Sequence, residues 1–180
     1  MKNVFIVRHC EAEGQAPDAR LTAAGRQQAE RLTGLLMDKN IDYIISSPYE
    51  RAYRTIASLA AQLDIEIVTD NRLMERALCG HNDPNWREML RKTYDDLELC
   101  YEGGESGRAA MSRAVSVVME VLNSRYNNVV IVSHGNLISL VLKHFDERIG
   151  FAEWEALSNP DIYQLAFAET VPYIRRIWTA

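Results

Sequence analysis

The chain begins with a strand that stops at an Arg-His pair. Asn3-Val4-Phe5-Ile6-Val7-Arg8 is short, apolar on both faces, and ends in charge. Such a run, without polar–apolar alternation, reads as a strand covered on both sides, the habit of parallel sheets between helices. Val129 to Ser133 repeats the pattern as the most apolar strand of the chain. Tyr43 to Ser46 and Ile65 to Val68 read as two more. Helical periodicity fills the gaps. Thr22 reads as the N-cap of a helix with Ala29, Leu32 and Leu36 on one face. Ser47-Pro48-Tyr49-Glu50 reads as a capping box with Pro48 at the first helical position, opening a helix to about Leu63. The stretch from Asn71 to Gly104 is irregular, with a short helix predicted over Trp86 to Tyr94. Glu105 to Tyr126 and Gly135 to Phe145 read as helices. Ile162 to Ala168 and Tyr173 to Trp178 alternate, as two strands antiparallel to each other would.

This order predicts an α/β fold, a three-layer α/β/α sandwich with a mainly parallel sheet. No linker, charge block or repeat divides the sequence, so residues 1–180 are expected to form one domain. The net charge of −5 disfavours broad nucleic-acid binding, which needs a basic surface. Val4 to Val7 is too short for a signal-peptide core, and no segment has the length of a membrane span. Cys10, Cys79 and Cys100 are odd in number and lack C-x-x-C spacing. That argues against a disulfide framework or a zinc site and suggests a reducing cytoplasm.

In parallel sheets, ligands gather where the strands end. Arg8 and His9 end the first strand, and Ser46 and Ser47 end the second, with Arg51 one helical turn on. His134 ends the Val129 strand, with Gly135 next. Two arginines and two histidines are therefore expected at one sheet edge. Helix N-termini at Pro48 and Gly135 would add backbone N–H donors. Phosphate suits such a site, since guanidinium forks clamp its oxygens and phosphoryl transfer needs mainly positioning and charge stabilisation. Neighbouring positive charge biases a histidine towards its neutral, nucleophilic form. Its other ring nitrogen then needs an acceptor, expected to be a backbone carbonyl. A carboxylic acid outside the clamp must protonate the leaving alkoxide and later activate water. Glu75, in Leu73-Met74-Glu75-Arg76, is the candidate.

Taken together, Arg8-His9, Leu21-Thr22-Ala23-Ala24-Gly25, Ser46-Ser47-Pro48 with Arg51-Ala52 and Thr55, Leu73 with Glu75, Gly103-Gly104-Glu105-Ser106 and Ser133-His134-Gly135 resemble the histidine phosphatase superfamily, the phosphoglycerate mutase-like group. The resemblance spans essentially the whole chain and points to the small phosphatase branch. It implies a phosphoric monoester hydrolase of histidine acid-phosphatase type acting on small phosphorylated metabolites. His9 would be the phosphorylated nucleophile, with Arg8, Arg51 and His134 completing the phosphate pocket. Glu75 would be proton donor, then acceptor. Gln15 falls where the family often has a phosphate-facing asparagine, and Gly135 would help to bind the phosphate. Neither a cofactor nor a metal is implied, and the H-x-E and C-x-x-C ligand spacings are missing. The expected partner is a small phosphorylated substrate, not a nucleic acid or a membrane. A homodimer stays open.

The sequence departs from the family pattern at Cys10, Glu11 and Ala12, which replace the usual Gly, acidic or polar residue, and Thr or Ser. The Gln15 to Leu21 loop is short and lacks the Arg-x-Gln-Gly segment of mutases. Hydrolysis is therefore expected over cofactor-dependent phosphoglycerate mutase chemistry. Glu75 weighs against a protein phosphohistidine phosphatase, and the full Arg8-His9-Arg51-His134 set against a catalytically weak phospho-ligand binder. Cys10 reads as a packing residue rather than a redox-sensitive thiol. His81 and His144 read as surface groups. Trp86, Trp154 and Trp178 read as packing residues, and Arg108 and Arg113 as solvated or ion-paired.

Overall fold

The computed structural model describes residues 1–179. Its elements are β1 (Lys2–Arg8), α1 (Ala23–Leu36), β2 (Tyr43–Ser46), α2 (Glu50–Leu63), β3 (Ile67–Thr69) and α3 (Trp86–Asp95). They continue as α4 (Gly107–Leu122), β4 (Asn128–Ser133), α5 (Gly135–Phe145), α6 (Phe151–Glu155), β5 (Asp161–Phe167) and β6 (Tyr173–Arg176). The six strands form one sheet in the order β3-β2-β4-β1-β5-β6. Pairs β1–β4, β2–β4 and β2–β3 are parallel, and β5 is antiparallel to both β1 and β6. Only β5 therefore runs against the rest, and the sheet is the expected mainly parallel one.

Alternate side chains of β1 enter two different cores. Val4 and Ile6 pack with α3, α4 and α5, through residues such as Tyr94, Val118 and Leu137. Phe5 and Val7 pack with α1 and α2, through Leu32, Leu36, Ile56 and Leu59. Both faces of the strand are covered, which is why its sequence lacks alternation. Trp178 closes the second core, as expected of a packing residue.

Several sequence readings shift. The helix after Thr22 forms as expected, with Thr22 Oγ1 accepting from Gly25 N at 3.0 Å. The Ser47 capping box does not form. α2 starts at Glu50, Ser47 Oγ accepts from Tyr49 N, and the Glu50 carboxylate pairs with Arg54. β3 starts two residues later than read. Asp64 takes a left-handed conformation (φ 55°) and Ile65 N donates back to Ala60 O, so that residue closes α2 instead of opening a strand. α4 starts after Ser106, whose hydroxyl accepts from Ala109 N, and stops at Leu122. The short α6 has no counterpart in the sequence reading. No helix among the described residues is long and apolar enough to cross a membrane.

The register sets up the site. Arg8 lies opposite Ser133 across β1–β4, and Ser46 opposite Val132 across β2–β4. Just beyond the strands, His9 N donates to Ser133 O and Ser47 N to Val132 O. Three strand ends are thus tied side by side, and the polar residues just beyond them, His9, Ser47 and His134, meet.

Candidate active site

His9 is buried at 7% exposure. Its Nδ1 lies 2.7 Å from the Cys10 carbonyl oxygen, the backbone acceptor expected for it. With the proton held on Nδ1, the lone pair falls on Nε2. Arg51 Nε donates to that Nε2 at 3.2 Å. Burial is the main force holding the His9 pKa down to about 4, and the charges of Arg51 and Arg8 add to it against the pull of the Cys10 carbonyl. The sequence reading credited the arginines; desolvation is the larger cause.

Arg51 is fully buried, and its Nη1 donates to the carbonyls of Gln15 and Ala16 at 3.2 and 2.9 Å. Arg8 reaches the Leu157 and Ser158 carbonyls through Nη1, both at 3.3 Å. Arg8 Nε is buried without a protein partner. His134 is also completely buried; its Nε2 meets Ser47 Oγ at 2.8 Å, while Nδ1 has no protein partner. The two imidazoles lie edge to face with centroids 5.2 Å apart, and Tyr49 lies edge-on to His134 at 5.0 Å. Burial first, then the nearby His9, Arg51 and Arg8, drives the His134 pKa well below its ordinary value.

Gly135 is fixed by Arg8. A Cβ there would meet the guanidinium at 2.9–3.1 Å, so a side chain would displace it. The first turn of α5 is otherwise engaged. Glu75 accepts from Leu137 N (3.0 Å) and Arg76 N (2.8 Å) through Oε1, and from Asn136 N (3.1 Å) through Oε2. These donors were expected to face an anionic ligand; a carboxylate of the chain holds them instead. At α2, the expected donors are likewise absent from the site, because Pro48 lacks an N–H and Glu50 N donates to Pro17 O. Burial raises the Glu75 pKa and outweighs the three N–H groups that favour its charged form.

Glu75 shares a cleft of about 640 Å³ with Arg51, Tyr49 and Gln15. Arg8, His9, Arg51 and His134 thus come together as expected, with Glu75 on the adjoining wall. Gln15 lies exposed at the rim and holds Arg51 through its backbone carbonyl. Sequence reasoning missed several supports. Thr55 Oγ1 accepts from Cys10 N and donates to Arg51 O, tying the loop after β1 to α2. Asn159 Nδ2 donates to His9 O. Arg113, read as solvated or ion-paired, does pair with Glu105 but also donates to the carbonyls of Arg72, Met74 and Glu75, bracing the chain behind Glu75. The Cys10 thiol is fully buried and its pKa is pushed up to about 12, as suits packing rather than thiolate chemistry.

The model of the histidine phosphatase superfamily (branch 1) matches residues 4–179. The chain belongs to the histidine phosphatase superfamily. Among its relatives, a putative phosphoserine phosphatase of Hydrogenobacter thermophilus is 28% identical over 158 residues, covering 79% of this chain and 77% of that protein. A probable phosphoglycerate mutase of Shigella boydii is 26% identical over a 194-residue alignment, covering 95% and 87%. Among solved structures, a mycobacterial glucosyl-3-phosphoglycerate phosphatase with inorganic phosphate superposes with a TM-score of 0.80 at 25% identity, covering 100% and 98%. A phosphoserine phosphatase of Entamoeba histolytica, at 23% identity, shares the fold with the same TM-score, covering 99% and 98%.

The buried imidazoles have a consequence for this histidine phosphatase fold. His9 binds its proton near pH 4 when folded and near 6.5 when unfolded. As pH falls through that window the unfolded chain takes up a proton that the folded chain refuses, so stability is lost. The single group accounts for about 3 kcal/mol. His134 acts in the same direction and the raised Glu75 pKa in the opposite one. Urea unfolding should show wild type losing about 3 kcal/mol more than His9→Asn between pH 7 and 4. Equal losses would show that His9 is charged in the folded protein.

Proposed function

We propose that the chain is a phosphomonoesterase that hydrolyses small phosphorylated metabolites through a phosphohistidine on His9 Nε2. The carrying observation is the setting of His9: Nδ1 tied to the Cys10 carbonyl, Nε2 facing the Arg51 guanidinium, and a pKa held down to about 4, which keeps the ring neutral. The phosphatase relatives support the same reaction class.

In the first step the Nε2 lone pair attacks phosphorus and the P–O bond to the alcohol breaks. Glu75, as the neutral acid, gives its proton to the departing oxygen. Arg51 Nε, which caps Nε2 in the free enzyme, turns its N–H onto a phosphoryl oxygen. Arg8 Nε and His134 Nδ1, the two buried side-chain nitrogens without protein partners among the described residues, supply further donors. In the second step the Glu75 carboxylate takes a proton from water, the hydroxide oxygen bonds to phosphorus and the P–N bond breaks. Phosphate leaves and the imidazole is restored. This is the nucleophile-plus-acid chemistry of the histidine acid-phosphatase type, and it calls on no metal because two guanidinium groups supply the charge stabilisation. Gln15 and Gly135 shape the phosphate pocket, one by holding Arg51 and the other by admitting Arg8. Three unpaired cysteines suit a reducing compartment, the cytoplasm.

The test is rapid quenching during turnover of labelled substrate. A phosphoprotein stable to alkali and labile to acid, with its label on His9, is the expected result. Phosphate release with no labelled protein at any time would mean that water attacks the substrate directly.

A further inference from the structure

Beyond the imidazoles and guanidinium groups, the cleft has room for much more than a phosphate. Its charged lining residues are Arg51, Glu75, Arg76, His81 and Asp83. Arg51 belongs to the phosphate end. Arg76 is buried at 5% exposure, and all three of its guanidinium nitrogens are engaged, two on Glu105 O and one on Thr93 Oγ1. These acceptors are neutral, so Arg76 keeps its charge, but each of its nitrogens is already held by the protein. His81 Nε2 lies 3.4 Å from Asp83 Oδ2, so whether or not the imidazole is protonated, the pair carries no positive charge. Asp83 is held in place, since its Oδ1 accepts from Asn85 N at 2.8 Å. Beside it Trp86, half exposed and edge-to-face against Trp154, offers an apolar ring face. The wall that receives the leaving alcohol therefore pairs an apolar surface with a carboxylate, and its arginine, Arg76, lies buried with every nitrogen already hydrogen-bonded.

We propose that this wall selects phosphomonoesters whose leaving alcohol is neutral or amine-bearing, and that Asp83 sets the choice by repelling carboxylated alcohols. The proposal rests on the phosphohydrolase reading above and narrows its substrate class. A carboxylate placed here would lose its hydration, find Arg76 already held by other acceptors, and face Asp83. A hydroxyl can donate to Asp83, an ammonium can pair with it, and C–H surface can lie on Trp86. Discrimination then works by repulsion of the wrong group as much as by attraction of the right one.

Two near-isosteric pairs test this. Glycerol 3-phosphate and 3-phosphoglycerate differ in a hydroxymethyl against a carboxylate; ethanolamine phosphate and phosphoserine differ by a carboxylate alone. The member without the carboxylate should have a kcat/KM at least about tenfold higher in each pair. Asp83→Asn, which keeps an acceptor for Asn85 N, should shrink both gaps at least about threefold. In the wild type, raising salt from about 0.05 to about 0.5 M should shrink them too, a readout that needs no variant. Equal or faster turnover of phosphoserine and 3-phosphoglycerate overturns the proposal, as do gaps untouched by both Asp83→Asn and salt. Turnover of p-nitrophenyl phosphate separates the two levels. If the wild type hydrolyses it while preferring carboxylated substrates, only this inference fails. If it neither hydrolyses it nor forms a phosphoprotein, the parent reading fails and takes this one with it.

Discussion

His9→Ala should be without turnover on any phosphomonoester, a fall in kcat on the order of 10⁴-fold or more, as expected when the nucleophile of a coupled set is removed. The size follows from what the imidazole does. In the proposed reaction it supplies the neutral nucleophile beside the donors on Arg8, Arg51 and His134. The variant should still bind inorganic phosphate, because both guanidinium groups keep their backbone anchors at residues 15, 16, 157 and 158. Phosphate protection against thermal unfolding therefore reports an intact pocket independently of activity. The Arg51 Nε left without its acceptor costs about 1–3 kcal/mol of stability, which the same melt will show. Activity above a tenth of wild type in a phosphate-binding variant would remove His9 as nucleophile.

The parts of this site that sequence could disclose were those carried by strand ends. Apolar runs closing at Arg8, Ser46 and Ser133 predicted three parallel strands, and parallel strands deliver their terminal residues to one edge. The register observed here does no more than align them. Boundaries failed where a side chain had two uses. Ser47-Pro48-Tyr49-Glu50 has the composition of a capping box, but the Ser47 hydroxyl is needed by His134 Nε2 across the site. The same oxygen accepts from Tyr49 N, two residues on, and the helix starts at Glu50. Ile65 has the composition of a strand residue, yet its N–H closes α2. Local pattern cannot see such competition, because the winning partner is remote in sequence.

The same limit hid the scaffolding around Glu75. Its place after the third strand made it a candidate, but its environment was not legible. Arg113 comes from the middle of α4 and the N–H groups from the start of α5, elements that meet only in the folded chain. This matters electrostatically, since the outcome is a contest. A helix N-terminus favours the carboxylate and burial favours the neutral acid. Burial prevails, and the pKa rises above the ordinary glutamate value. An acid tuned in that direction keeps its proton into the range where His9, with a pKa near 4, has already lost its own. The states that the proposed reaction asks of the two groups coexist because their environments push the two pKa values apart.

That separation makes Glu75→Gln the more discriminating experiment. For an alkyl phosphate, kcat/KM should fall about 10²- to 10⁴-fold, the usual worth of a positioned general acid. For p-nitrophenyl phosphate, whose leaving group departs without a proton, kcat/KM should change by less than about tenfold. Wild-type kcat/KM should be bell-shaped in pH. The acid limb lies near 4, as His9 takes its proton. The alkaline limb lies above the ordinary glutamate range, as Glu75 loses its own. The variant should lose the alkaline limb and keep the acid one. Water activation also needs the carboxylate, so p-nitrophenyl phosphate should give a burst of nitrophenol followed by slow turnover as the phosphohistidine accumulates. Gln retains the acceptor for Arg76 N and Leu137 N and loses only the bond from Asn136 N, so the fold should change little. An equal loss with both substrates, or an alkaline limb that survives, would assign the proton to another group.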